Sequence, residues 1–110
     1  EPAVINSGYF LEDGHCSCSP DRNWIVYDSY SDKNDERHLY LYDIAARRGM
    51  TLDSYYSPPY QNKQHVDIRC DLHPRWSRSG QVITFDSMHE GTRAMYRLEL
   101  QAFMEHITHY

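Results

Sequence analysis

Long apolar runs are missing from this sequence. The longest uninterrupted stretches, such as residues 24–26, are a few residues long, whereas a membrane-spanning helix needs about 20 apolar residues. Basic residues are also few: Lys and Arg total 11 against 16 Asp and Glu, a net charge of −5 with His neutral. An anionic chain without a basic stripe lacks the electrostatic footprint of a nucleic-acid-binding protein. We therefore predict no membrane span and no nucleic-acid partner.

Cysteine is scarce and odd in number. The three are Cys16, Cys18 and Cys70, so a fully paired disulfide framework is excluded. Cys16 and Cys18 are poor partners for each other, because two positions apart on a strand is near the upper limit of the Cα separation that a bridge allows. This usage leaves both the cytoplasm and the bacterial periplasm open. The chain starts at Glu1 rather than Met, and we expect it to be part of a longer protein.

An internal repeat is the strongest positive feature of a sequence whose composition is otherwise that of one globular domain. Placing His15 on His73, a shift of 58 residues, aligns six identical or similar positions without a gap. After a gap of two residues, three further positions align. The paired positions are His15 and His73, Ser19 and Ser77, Ile25 and Ile83, Tyr27 and Phe85, Asp28 and Asp86, Ser29 and Ser87, then Tyr40 and Tyr96, Asp43 and Glu99, Ile44 and Leu100.

Each repeat unit is predicted to form four short strands. Strands are predicted at about 15–19, 24–29, 38–42 and 50–54, and in the second unit at about 73–77 and 82–87, because alternating, β-branched and aromatic residues stand between turn residues. Such units at a fixed period are typical of β-propellers. We predict an all-β fold with two four-stranded antiparallel blades, a fragment of a six- to eight-bladed ring. The segments are 1–13, blade 14–54, inter-blade loop 55–69, blade 70–100 and a tail, 101–110, that is helical or a last strand.

Two blades cannot close a ring, and each would leave an apolar face open. We therefore expect the missing propeller blades, or self-association of this chain, to complete the fold.

Three segments resemble the blades of TolB-like propellers, which repeat a Ser-Pro-Asp-Gly turn before an apolar strand. The histidine that opens each blade is most similar to the oligogalacturonate lyase family, over about residues 14–100. The segments are Gly14-His15-Cys16-Ser17-Cys18-Ser19-Pro20-Asp21, His38-Leu39-Tyr40-Leu41-Tyr42-Asp43 and Asp71-Leu72-His73-Pro74-Arg75-Trp76-Ser77.

The resemblance implies a manganese-dependent lyase that cleaves acidic, uronate-containing oligosaccharides by β-elimination. In that family the metal is held by one histidine that opens a blade and by a Gln-x-x-His-x-His-Pro stretch that opens the next. The first histidine corresponds to His15, and the last corresponds to His73, which precedes Pro74.

Two positions of that stretch differ here. The middle histidine is replaced by Asp71 and the glutamine by Ile68, so one ligand becomes a carboxylate and another is lost unless Gln64 or His65 substitutes for it.

A metal site at His15, Asp71 and His73 is also supported by the residue types. Asp71 and His73 point to the same side of an extended strand, and two imidazoles with a carboxylate suit Mn, Fe or Zn. The alternative is that both histidines cap loops or bind backbone groups. A second alternative is a zinc site formed by the three cysteines with His73, although the repeat places Cys16 and Cys18 on the face opposite His15.

Candidate substrate-binding residues lie in and after the inter-blade loop. Tyr60 could stack on a sugar, Gln64 and His65 could bind hydroxyl groups or a carboxylate, and Arg75 could bind a carboxylate bidentately. The alternative is a proline-stiffened surface loop, with Arg75 paired to Asp67 or Asp71. Asp28-Ser29 and Asp86-Ser87 recur in both units and are interpreted as a structural device at the strand end.

Two functions remain open from the sequence. The first is a portion of a propeller enzyme of the oligogalacturonate lyase type, with Mn or another divalent metal as cofactor. The second is a non-catalytic TolB-like propeller that binds a protein or glycan partner. A peptidase propeller is disfavoured, since the chain has no Gly-x-Ser-x-Gly motif.

Overall fold

Seven β-strands in two antiparallel sheets make up the described part of the chain. A computed structural model describes residues 2–6, 8–10, 13–57 and 70–101. The first sheet has the order β1-β2-β3-β4 and the second has the order β5-β6-β7. The strands are β1 (Cys16–Cys18), β2 (Trp24–Asp28), β3 (Glu36–Asp43), β4 (Arg48–Tyr56), β5 (Arg75–Trp76), β6 (Val82–Ser87) and β7 (Ala94–Glu99).

Alternation along β3 decides which face of the first sheet points inward. Arg37, Leu39 and Leu41 are buried on one face, while His38 and Tyr40 lie on the other, as the two-residue period of a strand requires. The strand pairs with β4 from Glu36 to Asp43, with a register shift between Leu39 and Tyr40.

Serine hydroxyls close the first turn of both sheets in the same way. The Ser19 amide donates to the Trp24 carbonyl at 2.8 Å, and the Trp24 amide donates to the Ser19 hydroxyl at 3.1 Å. Ser77 and Val82 make the same two bonds at 2.8 and 3.2 Å. These positions are related by the 58-residue shift, so the repeat seen in the sequence is a repeat of local structure.

The main hydrophobic core lies between the two sheets. Apolar residues of both sheets meet there, and burying them supplies the dominant favourable free energy of folding. The buried members are Val26, Leu39, Leu41, Leu52, Leu72, Ile83, Phe85 and Leu100.

The opposite face of the first sheet is covered by an N-terminal segment. Tyr9 and Phe10 pack on Tyr42, with ring centroids 4.9 and 5.1 Å away. A Cβ on Gly49 would collide with the Tyr9 ring, so a glycine is needed in β4 for this close approach.

The outer face of the second sheet is mostly polar. Arg75 pairs with Asp86 at 3.0 Å, and Arg97 pairs with Glu99 at 2.8 Å. Met95 is the strongly exposed apolar side chain on that face. Within the described residues, the open apolar face expected for the second blade is therefore replaced by a charged one.

The all-β prediction is confirmed, and the two sheets are consistent with propeller blades. The second sheet has three strands in the described range rather than the four predicted, and the tail beyond Gln101 lies outside it. β4 runs to Tyr56, two residues past the predicted end of the first blade. No helix formed by the described residues is long and apolar enough to cross a membrane.

Candidate functional site

One buried carboxylate, that of Asp28, binds the backbone of His15 in the first blade and of His73 in the second. Asp28 ends β2, points toward the second sheet and is fully buried. Its Oδ1 accepts the backbone N–H of His15 at 2.5 Å, and its Oδ2 accepts the backbone N–H of His73 at 2.8 Å. Asp28 therefore fixes two histidines that are 58 residues apart in the chain.

His15 is held against Asp28 on several sides. The Asp28 amide donates to the His15 carbonyl at 3.0 Å, and the His15 ring Nδ1 lies 3.2 Å from Asp28 Oδ2. A Cβ on the preceding Gly14 would collide with the Asp28 carbonyl. The glycine before the histidine is thus required by the close approach of the two backbones.

His73 occupies a bulge that breaks the repeat. The Asp86 amide donates to the Leu72 carbonyl at 2.8 Å, and Arg75 pairs with Thr84. His73 and Pro74 therefore both lie opposite Phe85 of β6. Two residues opposite one define a β-bulge. His73 has a φ of 45°, the left-handed region that a side chain with a Cβ rarely adopts.

The two predicted histidines are brought into direct contact. The His15 and His73 rings stack, with centroids 4.5 Å apart and an interplanar angle of 24°. Tyr30 lies edge-on to His15 at 6.1 Å. His73 is exposed and a third of the His15 side chain is accessible. We call His15, Tyr30 and His73 the imidazole surface.

Asp71 does not join the two histidines in a common cluster. Its carboxylate accepts a hydrogen bond from Arg37 Nη1 at 2.5 Å, and Arg37 Nε donates to the Ser57 hydroxyl. Among the residues that the structure describes, no group of three or more His, Cys, Asp and Glu is arranged to hold a metal. The described residues alone do not fit a metal ion, and the predicted metal site stays a prediction.

A small polar cavity of about 190 Å³ opens beside His73. It is lined by Cys70, Asp71, His73, Asp86 and Arg93. Burial raises the pKa of the Cys70 thiol, against an opposing effect of Arg93. The raised pKa favours the protonated thiol in this cavity.

Arg75 pairs with Asp86 in its own sheet. Its Nη2 lies 3.0 Å from Asp86 Oδ1, and its Nη1 donates to the His73 carbonyl at 3.1 Å. Arg75 therefore pairs with a carboxylate other than the predicted Asp67 or Asp71: Asp71 accepts from Arg37, and Asp67 lies outside the described residues. The other predicted substrate-binding residues, Tyr60, Gln64 and His65, lie outside the described residues, as does Ile68.

The three cysteines are separated in burial. Cys16 and Cys18 are exposed and Cys70 is buried. The described residues therefore give no support to a zinc site of thiolates with His73, because a structural site of that kind gathers its ligands in one tetrahedron.

The fold is similar to part of TolB. The crystal structure of TolB from Acinetobacter baumannii matches with a TM-score of 0.61 and 18% identity, over 83% of this chain and 20% of that chain. No protein-family model matches the sequence, and no curated protein matches it significantly. The chain thus spans a fifth of the length of the TolB chain, and at this identity the likeness is one of fold alone.

Two residues that build the site have different sequence signals. The repeat singled out Asp28, and its role as a structural device is confirmed by its backbone hydrogen bonds. Arg37 precedes the strand predicted at about 38–42, yet it lies within β3 on the buried face. Arg37 lies two residues before Leu39, and alternate residues of a strand share a face. This spacing could have placed Arg37 on the buried face.

Proposed function

We propose that this chain is a portion of a TolB-like propeller, and that it binds an acidic glycan, or alternatively a protein, through the imidazole surface. The observation that supports binding over metal-dependent catalysis at this surface is the separation of the predicted metal ligands. His15 and His73 stack on each other, while Asp71 is bound by Arg37.

An anionic partner suits this surface on chemical grounds. Histidine rings can donate N–H hydrogen bonds to carboxylate groups, and an aromatic face beside them, here Tyr30, is a common platform for a sugar ring. We therefore expect the surface to bind an acidic glycan.

Calorimetric titration with a short oligogalacturonate tests this function. We expect a loss of affinity of at least about tenfold, roughly 1.4 kcal/mol, in His73→Ala. Arg97→Ala is the control, because it removes a cation from the outer face of the second sheet. Equal affinity in wild type and His73→Ala would rule out the imidazole surface as the glycan site.

A second candidate is favoured by the 4.5 Å contact of His15 and His73. It is the predicted portion of an oligogalacturonate lyase-type enzyme with Mn or another divalent metal. The remaining ligands would come from residues outside the described range, such as Gln64 or His65, so we derive no reaction step through the metal.

Elemental analysis after incubation with manganese tests this second candidate. Stoichiometric metal that disappears in both His15→Ala and His73→Ala would support it. Absence of bound metal in the folded wild type would exclude the manganese-dependent mechanism for this chain.

A further inference from the structure

A second group of side chains, distinct from the imidazole surface, forms a continuous hydrogen-bonded chain. His38 and Ser54 are directly paired across β3 and β4. His38 Nδ1 lies 2.6 Å from the Ser54 hydroxyl, and His38 Nε2 lies 2.7 Å from Asp32 Oδ2. Serine, imidazole and carboxylate therefore stand in the order that activates a serine nucleophile.

The carboxylate of this chain is fixed by its own turn. Asp32 Oδ1 accepts the backbone N–H groups of Asn34 and Glu36 at 2.8 and 3.0 Å, which leaves Oδ2 for the imidazole. The hydrogen bond from His38, followed by the backbone bonds, lowers the pKa of Asp32. Asp32 therefore stays ionised at neutral pH, the state that can stabilise a protonated His38.

The imidazole is also held in place from its backbone. The His38 amide donates to the Ser29 hydroxyl at 3.0 Å, and the His38 ring lies 5.9 Å from the ring of Tyr40. A carboxylate on Nε2 favours the tautomer with its proton there, which leaves the Nδ1 lone pair directed at Ser54. This is the arrangement of a general base.

We propose that Ser54 is an activated nucleophile toward acyl esters and their phosphonyl analogues, with His38 as its general base and Asp32 as the positioning residue. With a fluorophosphonate, Ser54 Oγ forms a bond to phosphorus as the P–F bond breaks. The serine proton passes to His38 Nδ1 and leaves with fluoride as HF. The product is a stable phosphonyl-serine.

The second blade contains a natural comparison. The Ser87 hydroxyl lies 2.7 Å from His89 Nδ1, but His89 Nε2 is 3.8 Å from Glu90, too far for a hydrogen bond. Ser87 is also only 2% exposed, whereas Ser54 is partly exposed. Ser87 thus has a histidine without an orienting carboxylate and without access for a reagent.

Fluorophosphonate labelling of the whole chain, followed by intact mass and peptide mapping, tests the proposal. We expect one adduct on Ser54, no adduct in Ser54→Ala and unchanged labelling in Ser87→Ala. His38→Gln should slow labelling by about 10²-fold or more, because that is the typical contribution of a general base. Asp32→Asn should slow labelling while its Oδ1 still accepts the turn hydrogen bonds.

Thermal unfolding of each variant separates loss of the base from loss of the fold. If His38→Gln fails to fold, Asp32→Asn and Ser54→Ala still decide the question. Labelling elsewhere than Ser54, no labelling of the folded wild type, or equal rates in wild type and Asp32→Asn would overturn the proposal. The chain from Asp32 to Ser54 would then be only a structural tie between a turn and the sheet.

Discussion

Asp28 and Asp86 hold equivalent places in the repeat but bind different groups. Asp28 is fully buried and accepts backbone N–H groups from both blades. Asp86 is about a third exposed and is paired with Arg75. The amide of His73, which the repeat would assign to Asp86, is donated to Asp28 instead. Asp86 is thus an ion-pair partner within its own sheet, whereas Asp28 links the two sheets.

Removing the Asp28 carboxylate should be costly. Asp28→Ala leaves the His15 and His73 amides without their acceptor, and each unsatisfied buried group costs about 1–3 kcal/mol. We expect the free energy of unfolding, measured by urea denaturation, to fall by about 2–4 kcal/mol. Asp86→Ala is the matched control and should cost less than about 1 kcal/mol, as for an exposed ion pair. A larger loss in Asp86→Ala than in Asp28→Ala would contradict this account.

The two histidines of the imidazole surface could be predicted from the sequence, but Tyr30 and the partners of these residues could not. The repeat selects His15, His73 and Asp28, because equivalent residues of neighbouring blades lie near one another. Asp71 was predicted to share a metal site with the two histidines, and the sequence did not indicate that Arg37 would donate a hydrogen bond to its carboxylate. Periodicity states which face a side chain is on, whereas the choice among several charged partners depends on tertiary distances.

At the scale of the strands, prediction succeeded where alternation and turn chemistry agree. β2 and β6 are β-branched and aromatic and follow turns that a serine hydroxyl closes, so their positions were predicted within a residue. The bulge at His73 and Pro74 was not predictable, since a residue that precedes a proline favours extended conformations rather than the left-handed region. β4 was predicted too short, because Tyr55 was interpreted as a loop residue. Tyr55 instead packs on Phe85 at 4.8 Å.

The positive φ of His73 in the bulge predicts that glycine is tolerated there better than a β-branched residue. Glycine adopts a positive φ without strain, whereas a β-branched residue does so at a cost of about 1–3 kcal/mol. We expect His73→Gly to leave the free energy of unfolding within about 1 kcal/mol of wild type and His73→Val to lower it more.

Thr84 of β6 is the control, because in a strand interior valine is more favourable than glycine. Thr84→Val should be tolerated and Thr84→Gly should destabilise the protein. Chemical denaturation of the four variants measures both pairs. Greater stability of His73→Val than of His73→Gly would show that the residue does not keep its left-handed conformation in solution.

At the scale of the molecule, the two sheets share one core and cannot be independent. Leu72 precedes β5 and is fully buried among residues of the first sheet and of the second. Two further hydrogen bonds cross the junction, from Trp76 Nε1 to the Ser17 carbonyl at 2.8 Å and from Arg37 to Asp71. Unfolding of one sheet therefore exposes the inner face of the other.

Leu72→Ala should destabilise both sheets together. Deleting a buried leucine side chain costs about 2–5 kcal/mol, because the transfer free energy and the cavity add. We expect one cooperative transition at a lower urea concentration when tryptophan fluorescence and circular dichroism are followed together. Met95→Ala, on the exposed outer face, should leave the midpoint nearly unchanged. Two separate transitions in wild type would contradict a shared core.

The meander order of the strands also has a consequence for the rate of folding. Every sheet pairing joins strands that are consecutive in the chain, so each hairpin closes a short loop at low entropic cost. The contacts that cross between the sheets join residues far apart in the chain, 45 positions in the case of Asp28 and His73. We infer that the hairpins form first and that docking of one sheet on the other limits the rate. Substitutions at the junction would then slow folding more than equally destabilising changes in the turns.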